Sequence, residues 1–225
     1  MDCFADVGCS VTACTTVPVT GRRQFNMVSD PTILSMSLQH YNDFLKAHKL
    51  STDAEQTEKI RQVGHRIQKG VERYFADNGM QRELEGYKWE FNLIEGEDAN
   101  AFCMPGGKVV VYTALLPIAR DDNGLAVVMG HEIAHAVAKH GNERISQALA
   151  MQVGGVALGV AMSNESGQNR QLWMMAYGMG ASVGYMLPFS RLHEKEAEKT
   201  HPNFSAPTHP IKPELMPSRI LFPRP

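Results

Sequence analysis

The sequence predicts an α+β domain, mainly helical, with a small β-sheet beside one helix that carries the chemistry. Three observations lead there. Between residues 31 and 75 apolar side chains recur every three or four positions, the spacing of amphipathic helices. Around residues 87–112 the apolar period shortens to two, a strand pattern. From residue 124, "GLAVVMGHEIAHAVAKHGNERISQALA" returns to helical character, with two histidines and a glutamate inside an otherwise small and apolar run.

Composition bounds the answer before any motif does. A chain of 225 residues is long enough for one domain with a real core. A net charge of -2 gives no clustered positive excess, so nucleic acid is not an expected partner. The 43% hydrophobic and 20% charged shares are those of a globular chain. Cys3, Cys9, Cys14 and Cys103 are too unevenly placed for a disulfide framework.

The elements follow in order. "VTAC", ending at Cys14, has the small residues that precede lipid attachment in exported bacterial proteins. "MDCFADVGCS", however, lacks the positive start and apolar stretch of roughly 7–15 residues that a signal peptide needs. The alternative is a disordered N-terminus with Cys14 a plain thiol. "TTVPVTGRRQ" reads as a linker. A first helix starts at Pro31 and places Ile33, Met36, Leu38, Tyr41, Phe44 and Leu45 near one face. A second opens with Thr52 and Glu55 in capping-box spacing and buries Ile60, Val63, Ile67, Val71 and Tyr74. His40, His48 and His65 on or beside these helices have no partner at ligand spacing and read as surface residues.

"YKWEFNLIE" alternates Trp89, Phe91 and Leu93 against Lys88, Glu90 and Asn92, a half-buried strand. Pro105, Gly106 and Gly107 make a turn before the strand "KVVVY". Asp121, Asp122 or Asn123 caps the next helix. "VGGVALGVAM" is too short to span a bilayer, and residues 172–189, eighteen without a charge, sit at the lower limit. Glycines 178, 180 and 184 and Pro188 favour a buried or interfacial helix over a transmembrane one. From residue 200 onward seven prolines preclude a long helix. The expected division is thus 1–25 as an export- or lipid-attachment-like segment and linker, 26–200 as the domain, and 201–225 as a Pro-rich tail.

His131 and His135 lie four apart, so on a helix both rings can face one ion while Glu132 projects about 100 degrees away, beside it. That is the arrangement in which two imidazoles bind zinc and a glutamate takes a proton from water. The competing reading is a core helix with two satisfied histidines. Against it, a charged Glu132 in so apolar a run is costly without a cleft or partner. Zinc needs a third protein ligand and an open position. His140, five residues past His135, rotates off the ligand face unless the helix ends first, and suits a surface or supporting role better. In "SRLHEKEAEK", Glu194 and Glu198 share a helical face and Glu196 does not. One of them nominates itself as ligand, with its neighbour accepting a hydrogen bond from a ligand histidine; a solvated charged face is the alternative.

"HEIAHAVAKHGNER", preceded by "NAFCMPGGKVVVYTALL" and followed by "FSRLHEKEAE", resembles the zinc metallopeptidase family of the CAAX prenyl protease, HtpX and bacterial periplasmic lipoprotein peptidases, over roughly residues 11–198. "CTTVPVTGRRQFNMVSD" is similar to the segment after the lipid-bearing cysteine of the last group. The resemblance implies a zincin-like (gluzincin) metallopeptidase domain with one Zn2+ per chain. His131, His135 and Glu194 match the metal ligands and Glu132 the general base. Asn100, Ala101 and Phe102 match the segment leading into the strand along the cleft, where extended substrate adds as a further strand. The chain departs from the family in having Glu198 where Asp is usual. It also places the family's Thr-His-Pro and arginine at His209 and Arg219, without the intervening helices.

The implied function is a zinc metalloendopeptidase acting on unfolded or misassembled polypeptides on the periplasmic side of a bacterial cell envelope, with membrane association through a lipidated Cys14. The rival is a truncated relative acting as a binding or scaffold module. A third reading, an integral membrane peptidase, rests on residues 172–189.

Overall fold

A computed structural model describes residues 14–181 and 187–204. Strands β1 (Cys14–Thr16) and β2 (Arg23–Phe25) form an antiparallel hairpin. Helices α1 (Asp30–Ala47) and α2 (Ala54–Asp77) follow. The sheet comprises β3 (Glu90–Ile94), β4 (Ala101–Met104) and β5 (Lys108–Tyr112) in the order β3-β5-β4. β5 runs parallel to β3 and antiparallel to β4, which leaves β4 at an edge. The one-turn α3 (Leu116–Ala119) leads into α4 (Asp122–Val137), α5 (His140–Ala161), α6 (Gly167–Ala181) and α7 (Leu187–Thr200). A 3-10 turn, His201–Phe204, closes the described chain. The expected α+β, mainly helical class with a small sheet beside the HExxH helix is what the structure has.

Local chemistry explains these boundaries. Gly106 and Gly107 take φ of +89° and +80° in the β4–β5 turn, a region that side chains with a Cβ rarely enter. Asp121, of the three candidates, caps α4 by accepting from the Gly124 amide at 2.8 Å. Asp53 rather than Thr52 caps α2, accepting from Gln56 N at 3.0 Å. In α1 the inward positions are Ile33, Ser37 and Tyr41, whereas Met36 and Leu38 are exposed. The four-residue spacing of the buried set turns Leu38 outward, and Ser37 Oγ donates to Pro105 O at 2.7 Å. In α2 it is Phe75, not its half-buried neighbour Tyr74, that completes the buried face.

The core lies where α2 and α4 meet the sheet. Ile60, Val71, Phe75, Val109, Met129 and Ile133 are fully buried in one cluster. The two sides of β4 face different neighbours: Ala101 and Cys103 join this cluster, whereas Phe102 joins Tyr41, Ile94 and Val110 and meets Phe44 of α1 edge to face at 5.3 Å. α4 is thus clamped between the sheet, α2 and α7, which makes its one polar stripe rigid.

Two expectations change here. The stretch read as a linker forms the β1–β2 hairpin, and Cys14 begins β1, exposed, paired with Phe25. Residues 172–189 were expected to form a buried or interfacial helix; Leu172, Trp173, Met175 and Met179 of α6 are exposed, as are Val153, Val156 and Val160 of α5, which rules out the buried alternative for α6 and not the interfacial one. The reason is that α5 and α6 pair with each other: Tyr177 Oη donates to Met151 O at 2.8 Å and lies where a Cβ on Gly154 would fall. Among the described residues no helix is long and apolar enough to cross a membrane.

Gly64 of α2 packs so close to the Phe91 ring that a Cβ there would lie 2.3 Å from it. Gly64→Ala is expected to cost about 1–3 kcal/mol through overpacking. Urea unfolding checks this, and a midpoint equal to that of the unsubstituted chain contradicts it.

Candidate metal centre

The HExxH turn of α4 delivers both rings to one side, as the four-residue spacing requires. Nε2 of His131 and Nε2 of His135 lie 3.1 Å apart. Glu194, on α7, brings Oε2 to 3.2 Å from the first and 3.6 Å from the second. A tetrahedral zinc site with bonds of about 2.0–2.2 Å has ligand-to-ligand edges of about 3.3–3.6 Å. The three atoms therefore form one face of such a tetrahedron, and the donor set of two imidazoles and a carboxylate suits zinc.

The electrostatics suit a cation. Glu194 is held below the usual carboxylate range, chiefly by the hydrogen bond from His131 and by the His135 ring 3.6 Å away. For His131, burial works against protonation, but the hydrogen bond to Glu194 and the charges of Glu132, Glu194 and Glu198 outweigh it and raise the ring. His135 is lowered, first by burial. Metal ligation needs neutral rings, so a cation entering here would displace the proton on His131. Glu132 is 3% exposed, and burial pushes it up to about 7 against the opposing charge of His131.

Behind the rings lies a buried polar chain. Lys139 takes a left-handed backbone, φ 59°, which ends α4 and begins α5 at His140. The break swings His140 back, so that its Nδ1 lies 3.0 Å from Nδ1 of His135 and its Nε2 donates to Glu196 Oε2 at 3.0 Å. Arg22, beside β2, donates from Nε to Glu196 at 2.9 Å and from both terminal nitrogens to Glu143 at 3.0 and 2.7 Å. His193 donates to Glu143 at 2.8 Å and stacks on His140 with centroids 4.2 Å apart. Thr20 Oγ1 donates to the other oxygen of Glu196.

The comparisons with known proteins agree with this geometry. The model of peptidase family M48 matches residues 61–212. The chain belongs to peptidase family M48. The M48 relatives include the mitochondrial metalloendopeptidase OMA1 of Schizosaccharomyces pombe, 33% identical over 185 residues, covering 81% of this chain and 49% of that protein. OMA1 of Saccharomyces cerevisiae is 33% identical over 147 residues, 63% of this chain and 43% of that protein. The beta-barrel assembly-enhancing protease of Escherichia coli is 40% identical over 52 residues, 23% of this chain and 11% of that protein. The chain spans about half the length of the curated relatives it matches most extensively. These matches bear out the resemblance to the metallopeptidase family. They overturn the bacterial periplasmic location, because the relatives with broad cover are proteins of eukaryotes named as mitochondrial.

The structure brings His131, Glu132, His135 and Glu194 together. It does not make the expected hydrogen bond from a ligand histidine to Glu198, which is exposed and acts on His131 through its charge. Asn100 precedes β4 and its carbonyl accepts from Tyr112 N at 3.0 Å; Ala101 faces the core below α4. Phe102 turns its side chain toward α1, so β4 has only its backbone to offer on that side. His209 and Arg219 lie outside the described residues.

Sequence reasoning passed over three groups. His201 is buried, with its ring 6.1 Å from that of His131 and its Nδ1 without a hydrogen-bond partner among the described residues. Burial pushes it down to about 4. The signal was available: Thr-His-Pro occurs twice, at 200–202 and 208–210, and the second was chosen. Arg144, whose Nη2 stands 4.0 Å from Glu194 Oε1, and Arg22 carried no local signal at all.

Burial alone would raise Glu143 and Glu196, but hydrogen bonds from His193 and Arg22 hold the first at about 2, and those from His140, Thr20 and Arg22 hold the second at about 2. A depressed carboxyl stabilises the fold above its ordinary value near 4.5, and that stabilisation is lost as pH falls toward 2. His140, pushed down to about 4 first by burial, adds loss in the same direction from pH 6.5 downward. Glu132, raised to about 7, runs the opposite way and offsets that loss between pH 7 and 4.5, so urea midpoints of the metal-free chain are expected to fall below pH 4.5, down to 3; a flat profile there contradicts the network.

Proposed function

We propose that this chain is a zinc-dependent metalloendopeptidase domain in which His131, His135 and Glu194 hold one Zn2+. The observation that carries the reading is the triangle of ligand atoms with sides of 3.1, 3.2 and 3.6 Å. Zinc held there would polarise the scissile carbonyl and acidify the attacking water. Glu132 takes that water's proton and returns it to the leaving amine, a role suited to a carboxyl whose burial brings it near neutrality. The His201 ring lies 6.1 Å from that of His131, with its Nδ1 unpartnered among the described residues, and we assign this side chain to hydrogen-bond the substrate carbonyl.

Substrate is an extended polypeptide segment. β4 is an edge strand packed against α4, so a peptide adding to it would gain main-chain hydrogen bonds while running past the metal ligands. Specificity would then come from groups other than Phe102, which faces away. The names of the relatives support action within mitochondria. The rival reading, a truncated relative acting as a binding or scaffold module, expects no zinc bound and no hydrolysis, so the two assays below separate it from the peptidase.

Glu132→Gln is expected to lower casein hydrolysis by at least about 100-fold, the usual worth of an acid-base group, with zinc stoichiometry unchanged at one per chain. Glu194→Ala is expected to lose zinc. Retained hydrolysis by the first variant, or full zinc occupancy in the second, overturns the assignment.

A further inference from the structure

The polar chain behind the ligands has an order that the peptidase reading does not itself explain. We infer that Arg22 and Glu196 are positioning residues that set the tautomer in which His135 presents a bare nitrogen to the metal. The inference rests on the zinc-centre reading above.

An imidazole binds metal through a nitrogen that carries no proton. For His135 that nitrogen is Nε2, the one facing His131 and Glu194, so its proton belongs on Nδ1. Nδ1 of His135 meets Nδ1 of His140 at 3.0 Å, and one of the two must donate. The far side of His140 decides which. Its Nε2 lies 3.0 Å from Glu196 Oε2, and a carboxylate can only accept, so Nε2 carries the proton of His140. Nδ1 of His140 is then a lone pair, and His135 donates into it. A single acceptor, two rings from the metal, fixes every proton in the line.

The remaining contacts hold that acceptor still. Oε2 of Glu196 takes a second bond from Arg22 Nε, and Thr20 holds Oε1. The rest of the Arg22 fork grips Glu143, which anchors His193, and the His193 ring lies flat on His140 at an interplanar angle of 13°. Stability alone does not call for so elaborate a network, because well-packed apolar groups serve a buried ion pair's place as well or better. Thr20 and Arg22 both belong to the N-terminal hairpin, outside the residues 61–212 that match the family. The hairpin therefore completes the metal centre from beyond the matched region.

The test uses the full 225-residue chain with 15N-labelled histidine, metal-free at pH 8, and reads tautomers by long-range 1H–15N NMR. His135 is expected as the Nδ1–H form. Glu196→Leu, which removes the acceptor at similar size, is expected to lose that preference and weaken zinc binding about 10–100-fold in competition with a chromogenic chelator. Glu196→Gln, whose amide oxygen still accepts from His140, is expected to restore both. An Nε2–H form of His135 in the unsubstituted chain overturns the inference whether or not the leucine variant folds. So does a folded leucine variant with unchanged tautomer and affinity. A chain that binds no zinc at all overturns the metal reading instead, and the tautomer spectrum distinguishes the two failures.

Discussion

Everything else in this fold answers to one constraint: three donor atoms, from two positions a helical turn apart and a third 63 residues beyond the first, must meet within 3.6 Å. Without a cation, His131 and Glu194 favour each other's charged forms, while burial and the neighbouring His131 charge disfavour a proton on His135. Holding them there requires rigid supports on both sides. α4 supplies one, buried along nearly its whole length, and α7 the other, fixed by Ala197 and His193 in the interior.

The same constraint explains why so apolar a helix tolerates charge. Glu132 sits at 3% exposure in a run of Val, Met, Ile and Ala, and its cost is expressed as a carboxyl raised to near neutrality rather than as an unfolded site. Around it, the buried charges are matched in pairs: Arg22 against two glutamates, and two of the neighbouring histidines each against one of them. This arrangement backs onto the His135 ring through His140, on the side away from Glu194.

The legible parts of the site were the local ones. His131, Glu132 and His135 follow from helical spacing alone, and the sheet follows from alternation. Glu194 needed a resemblance, because 63 residues that include α5 and α6 separate it from His131. Glu196 was set aside for not sharing the face of Glu194, a correct statement that misleads here: the buried face of α7, with His193, Glu196, Ala197 and Thr200, is the one that meets His140 and Arg22, and Glu194 stands beside it, half-exposed. His140 was legible as a surface or supporting residue but not as a partner of His135, because the break that delivers it is a left-handed lysine, which has no sequence signature. Arg22 acts across 174 residues, a distance no pattern reading crosses. The apolar stretches of α5 and α6 misled in the other direction, since apolar composition there serves a helix pair whose outer faces are exposed.

The central claim is a coordination sphere, and X-ray absorption at the zinc edge of the loaded chain observes that sphere directly. The account predicts four light-atom ligands at about 2.0–2.2 Å, two of them imidazole, and no such bound-zinc spectrum from Glu194→Ala, which is expected to lose the metal. A sulfur ligand at about 2.3 Å, or a spectrum unaltered by that substitution, would contradict it.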